Sequence, residues 1–127
     1  MLEIGTVVLG VNDVGRALSF WRQALGYVPR DDELGPDDDS IILVPAGGQG
    51  TALALDTSES PVQEHPRVHL DLYAGDAGDQ AAEVERLVSL GAERVEWDLY
   101  PDVADFIVLA DTEGNRFCVI DTSYGHD

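Results

Sequence analysis

The chain has 127 residues, 44% of them apolar, enough for one ordinary globular domain with a core of its own. Its 25 acidic and 7 basic side chains leave a formal charge of -18, which repels phosphate backbones and anionic membranes and argues against nucleic-acid or membrane partners. A single cysteine excludes an internal disulfide and a cysteine-rich zinc site. No run approaches the roughly 20 apolar residues that span a bilayer, and no signal-peptide core follows Met1-Leu2-Glu3, so a cytoplasmic protein is expected.

Residues 4–11 alternate without sharp polarity, Gly5, Val7, Leu9 and Val11 on one face and Ile4, Thr6, Val8 and Gly10 on the other, which predicts a first strand buried on both sides. Asn12 or Asp13 can cap the next element, a helix whose Val14, Ala17, Leu18, Trp21 and Leu25 recur at helical spacing and which Gly26 is placed to end. Acidic residues 30–39 read as an exposed loop or irregular strand, after which Ile41–Val44 and Thr51–Leu55 read as strands joined by the turn Pro45–Gly50. Gly47-Gly48-Gln49-Gly50 lacks the Lys-Ser/Thr of a phosphate loop and is taken as hairpin chemistry.

Polar residues 58–66 read as a linker, with one module over 1–57 and a second over 67–127 of a single domain. The second module repeats the plan. It has a strand over 67–74, a helix over about 79–90 with Ala81, Val84, Leu87 and Val88 inward and Gly91 as cap, a strand near 92–97, and strands over 105–110 and 116–121. The turn Asp111-Thr112-Glu113-Gly114-Asn115 joins the last two. Corresponding segments lie about 63 to 65 residues apart: Thr6 to Asp13 matches His69 to Asp76, and Leu25-Gly26 matches Leu90-Gly91. Each half is βαβββ, too small to bury its own core comfortably, and the fold class is α+β.

Val8 to Asp13 with Phe20-Trp21 and Leu25-Gly26, His69-Leu70-Asp71-Leu72, and Asp111 to Cys118 together resemble the vicinal oxygen chelate superfamily, the glyoxalase, bleomycin-resistance and dioxygenase group. The chain looks most similar to its glyoxalase-like proteins of undefined function. The resemblance implies tandem βαβββ modules whose curled mixed sheets form an open cup with helices outside, and a homodimer. It also implies, for the enzymes, a divalent metal held by one residue from the first and last strand of each module. The first-strand position lies seven residues before the helix-starting Asp and the last-strand position four after the turn glycine, which selects Thr6, Ala54, His69 and Cys118.

Ala54 has no donor atom and Thr6 only a neutral hydroxyl, so the usual metal set looks lost and no cofactor is expected, unless Asp71, Glu113 or a partner chain repairs it. Alternation sends Val68, Leu70 and Leu72 towards the helices and Arg67, His69, Asp71 and Tyr73 into the cup, where buried polar groups need partners or a ligand. His69 is a candidate acid or base with Asp71 to orient it; Cys118 is a candidate nucleophile or a small buried hydrophobe; Arg116 can pair with Asp71 or hold an anionic group. Trp97, Tyr100 and Phe106 flank an acidic rim that could receive a cation or a planar ring, whereas His65 and His126 read as exposed.

Three functions follow. One is a bleomycin-resistance-type protein binding a small organic molecule, cationic or aromatic, without the metal, through His69, Asp71, Tyr73, Arg116, Cys118, Trp97 and Thr6. Another is a lyase, isomerase or hydrolase of glyoxalase type with His69 as base. The third is an interaction protein with a filled cup.

Overall fold

The computed structural model describes residues 1–31 and 38–124 and divides into two units, Met1–Pro61 and Val62–Asp127. The first carries strand β1 (Thr6–Val11), helix α1 (Val14–Leu25) and strands β2 (Tyr27–Pro29), β3 (Ser40–Pro45) and β4 (Ala52–Thr57). The second carries β5 (Leu70–Gly75), α2 (Ala77–Ser89), β6 (Glu93–Arg94), β7 (Phe106–Ala110) and β8 (Arg116–Asp121), followed by a 3-10 turn over Thr122–Tyr124. The sheets run β1-β4-β3-β2 and β5-β8-β7-β6, with the first pair parallel in each and the others antiparallel, so the duplicated α+β plan holds in both halves.

Asp13, rather than Asn12, caps α1 by accepting from the Arg16 amide at 3.0 Å, and Gly26 ends it in the left-handed conformation at φ 69. The helix buries Val14, Ala17, Phe20 and Trp21 and packs on β2, β3 and β4. Helix α2 opens on a capping box in which the Asp76 carboxylate accepts from the Asp79 amide at 2.9 Å and the Asp79 carboxylate accepts from the Asp76 amide at 3.2 Å. It buries Val84 and Leu87 and packs on β5 and β8. Ala81 and Val88, expected inward, are exposed. No helix among the described residues is long and apolar enough to cross a membrane.

Several boundaries differ from the sequence expectation, each for a local reason. Strand β1 is not buried on both faces: Thr6, Val8 and Gly10 are exposed, and only Val7, Leu9 and Val11 turn inward. The expected strand over 67–74 begins at Leu70, because the segment before it, with Pro66, does not join the ladder, and Val68 is therefore exposed rather than directed at α2. The strand near 92–97 shrinks to Glu93–Arg94. Beyond it the chain leaves the sheet, and the Tyr100 hydroxyl takes the place of a neighbouring strand by accepting from the Val108 amide at 2.8 Å. Strand β2, the second strand of the βαβββ plan, lies at Tyr27–Pro29, directly after the helix and ahead of the 30–39 segment where an irregular strand was the alternative to a loop. Most of the loop expected over 30–39 lies outside the described residues.

Candidate functional site

One face of the second unit's sheet is set by the alternation of β5, β7 and β8. The ladder places Asp71, Cys118 and Val108 in one row and Tyr73, Ile120 and Phe106 in the next. The opposite faces of β7 and β8 bury Leu109, Phe117 and Val119. Val108, Cys118 and Ile120 form an apolar floor against which Val95, Trp97 and Phe106 pack. Above this floor lies a cavity of about 440 Å³, lined mostly by apolar side chains, with His69, Asp71, Tyr73, Asp105, Arg116 and Thr122 as its polar groups.

The polar groups converge at one corner. His69, immediately before β5, and Asp71, one pleat further on, meet with Nε2 3.0 Å from Oδ1. The spacing of i and i+2 along a strand, about 6 to 7 Å, is bridged here by the side chains themselves. The Cys118 thiol donates to the Asp71 carboxylate, and burial together with that carboxylate and Asp105 pushes the thiol up to about 12. At neutral pH Cys118 is therefore a neutral thiol, which disfavours the nucleophile reading. His69 and Asp71 remain partly open to solvent, and Cys118 is buried.

Arg116 does not pair with Asp71. Its guanidinium donates to the Gly114 carbonyl at 3.0 Å, and the residue borders the cavity from the position opposite Ala110, one pleat before Cys118. Trp97 stands half-buried in the cavity wall, its outer side covered by His65 with ring centroids 4.9 Å apart. His65 in turn meets Asp98 at 2.7 Å, and this hydrogen bond holds the Asp98 carboxyl below the usual carboxylate range. Tyr100 packs on Phe106 at 5.2 Å. The sequence reading treated His65 only as an exposed linker residue, and nothing in it pointed to Asp98, 33 residues further on.

Thr6 and Ala54 lie in the first unit. Their strands pair so that Thr6 faces Ala52 and Val8 faces Ala54. The equivalent ladder in the second unit sets Asp71, not His69, opposite Cys118. The four-strand metal set implied by the resemblance does not fit this chain, since one position has no donor and another only a hydroxyl. Glu113 does not repair it: it is buried in the β7–β8 turn, where Thr112 donates to its carboxylate at 2.8 Å. Among the described residues, the donor atoms that do converge are those of His69, Asp71 and Cys118, all within 4.8 Å of one another.

The family model described as a glyoxalase-like domain matches residues 6–120. A comparison with curated proteins found no significant match in sequence. Among solved structures, a glyoxalase/bleomycin resistance protein/dioxygenase family enzyme from Burkholderia phytofirmans PsJN is similar at a TM-score of 0.71 and 14% identity, covering 94% of this chain and 98% of that one. A hypothetical protein from S. aureus is similar at 0.68 and 17%, covering 95% and 94%. A mutant of the fosfomycin resistance protein FosX from Listeria monocytogenes, complexed with Mn(II) and 1S,2S-dihydroxypropylphosphonic acid, is similar at 0.70 and 16%, covering 95% and 92%. At these identities the structures speak for the fold alone. With the family model spanning nearly all of both βαβββ units, the chain belongs to the glyoxalase-like domain family of the vicinal oxygen chelate superfamily.

Proposed function

We propose that this chain binds a small organic molecule in the cavity of its second unit, as bleomycin-resistance-type proteins do, without a metal held by the four family positions. The observation that carries the reading is the cavity itself. Its volume of about 440 Å³ falls within the range of roughly 300–1,000 Å³ typical of ligand sites. Its lining has the usual composition too, apolar walls with a few convergent polar groups. A cup filled by side chains would leave no such space. Tyr73, Trp97 and Phe106 suit a planar ring, and Asp71, Asp105 and the charge of -18 favour a cationic one.

The test is a thermal-shift screen of cationic and aromatic compounds on chelator-treated protein. A true ligand at about 100 times its Kd stabilises by about 2.7 kcal/mol, a rise of roughly 8–15 °C for a chain of this size. Stabilisation is expected to persist in chelator. A screen in which no compound raises Tm contradicts the reading.

The 3.0 Å contact of His69 with Asp71 favours a second reading, a lyase, isomerase or hydrolase of glyoxalase type. Here the carboxylate would fix the imidazole tautomer and leave the other ring nitrogen to move a proton. The same ligands then undergo turnover that His69→Ala abolishes while stabilisation survives; turnover at full strength in that variant removes the base from consideration.

A further inference from the structure

Trp97 lines two cavities, the apolar one above the floor and a polar one of about 610 Å³ that His65, Glu96 and Asp98 also border. From the contacts that hold this ring we infer that His65, a residue of the linker, is a positioning residue. It fixes the Trp97 indole as a flat wall of the ligand cavity and so sets a preference for planar over saturated ligands. This rests on the ligand-binding reading and deepens it.

The hold begins in the local sequence. Pro66 fixes its own φ and disfavours helical backbone at the residue before it, so His65 has little conformational freedom to lose. The Gln63 side chain accepts from the Arg67 amide at 3.3 Å and ties the same segment from both sides, while Pro66 borders the ligand cavity. His65 then makes two contacts at once. Its ring lies against the indole with centroids 4.9 Å apart and planes tilted by 47°, and its Nε2 meets Asp98 Oδ1 at 2.7 Å. Trp97 and Asp98 are consecutive, so one imidazole holds both a ring and the chain that carries it.

The indole also packs on the floor of Val108, Cys118 and Ile120. Held by floor and imidazole together, it keeps one orientation. Without the imidazole, its uncovered part meets the polar cavity and water, and the ring gains rotamers that no longer offer a ligand a flat surface. The His65–Asp98 pair is largely exposed, so it adds little to global stability and acts mainly on the wall it holds. That wall is what tells a flat cation from a saturated one of equal charge, because only the flat one can stack on the indole. The acidic field acts on the two alike.

The experiment compares the full wild-type chain with His65→Ala, Asp98→Ala and His65→Gln. Acrylamide quenching of tryptophan fluorescence reads the wall with no ligand present: Trp21 is 1% exposed, so the quenchable emission is that of Trp97. Quenching should rise most in His65→Ala, less in Asp98→Ala, and least in His65→Gln, whose amide still donates to Asp98. Calorimetry in chelator then measures binding of phenyltrimethylammonium and cyclohexyltrimethylammonium. Wild type should prefer the aromatic ion, and that preference should fall about two- to tenfold in His65→Ala, with part of it restored in His65→Gln. Unchanged quenching in His65→Ala overturns the positioning role. Equal weakening of both ions, with the preference intact, overturns the selectivity. A wild-type chain that binds neither ion overturns the selectivity together with the ligand-binding reading for such cations, whereas the quenching result stands apart from that reading.

Discussion

Trp21→Ala is expected to cost about 3–5 kcal/mol, the top of the range for truncating a buried side chain. Trp21 and Phe20 are each 1% exposed, and their rings meet edge to face with centroids 5.0 Å apart. Removing the indole forfeits its transfer free energy, the aromatic contact and the packing around a void too large to collapse. A helix of 12 residues has little stability alone, so α1 depends on this buried stripe to hold β2, β3 and β4. Denaturant unfolding of the variant measures the loss. Trp97→Ala is the comparison, because that ring is only half-buried and should cost clearly less. Equal losses in the two variants contradict the assignment of Trp21 to the core.

Gly75→Ala is expected to cost about 2–4 kcal/mol, the sum of a strained backbone and a lost helix cap. Gly75 sits at φ 114, where side chains are strained, and a Cβ there would come within 3.2 Å of Asp79 Cγ and closer still to its Oδ2. That carboxylate oxygen is the one that accepts from the Asp76 amide in the α2 capping box. The residue also closes β5 after the register shift between Tyr73 and Gly75, and Thr122 donates to its carbonyl at 3.2 Å. Asp79→Ala alone removes the cap without the strain. The double variant should lose less than the sum of the two singles, since the clash disappears with the carboxylate. Strict additivity in urea unfolding contradicts the steric account.

The fold was legible because periodicity and punctuation agree in both halves. Val14, Ala17 and Trp21 announce α1, Gly26 ends it, and Asp111 with Gly114 makes the β7–β8 turn, where the Asp111 carboxylate accepts from the Glu113 and Asn115 amides at 2.8 and 2.9 Å. Edges were less legible. Alternation alone ran the strand back through Arg67, although nothing in that pattern distinguishes a residue in a ladder from one just before it. The strand expected near 92–97 failed for the converse reason: a Tyr hydroxyl 8 residues before Val108 satisfies the backbone that a longer β6 would have paired.

For the site, alternation was enough to group His69, Asp71 and Tyr73 with Cys118 and Arg116 on one surface. Counting along the chain put His69 and Cys118 in matching roles, whereas the parallel ladder sets Asp71 opposite Cys118. Register between distant strands is a tertiary property that spacing within each strand does not encode. The same holds for the His65–Asp98 pair over Trp97, whose partners are 33 residues apart. Arg116 found a backbone carbonyl two residues away in place of the carboxylate across the sheet, a local contact that costs little chain entropy.

The two tryptophans offer the most direct measurement of the central claim, because one lies in the first unit's core and the other in the second unit's cavity wall. A titration of the chelator-treated chain with a compound that raises its Tm, followed by the NMR signals of backbone amides and indole N–H groups, locates the binding. The account predicts that the Trp97 indole signal moves with the amides of Asp71, Tyr73, Val108 and Cys118, while the Trp21 indole signal stays where it is. A ligand that shifts the Trp21 signal and leaves Trp97 and the β5, β7 and β8 amides in place would contradict it.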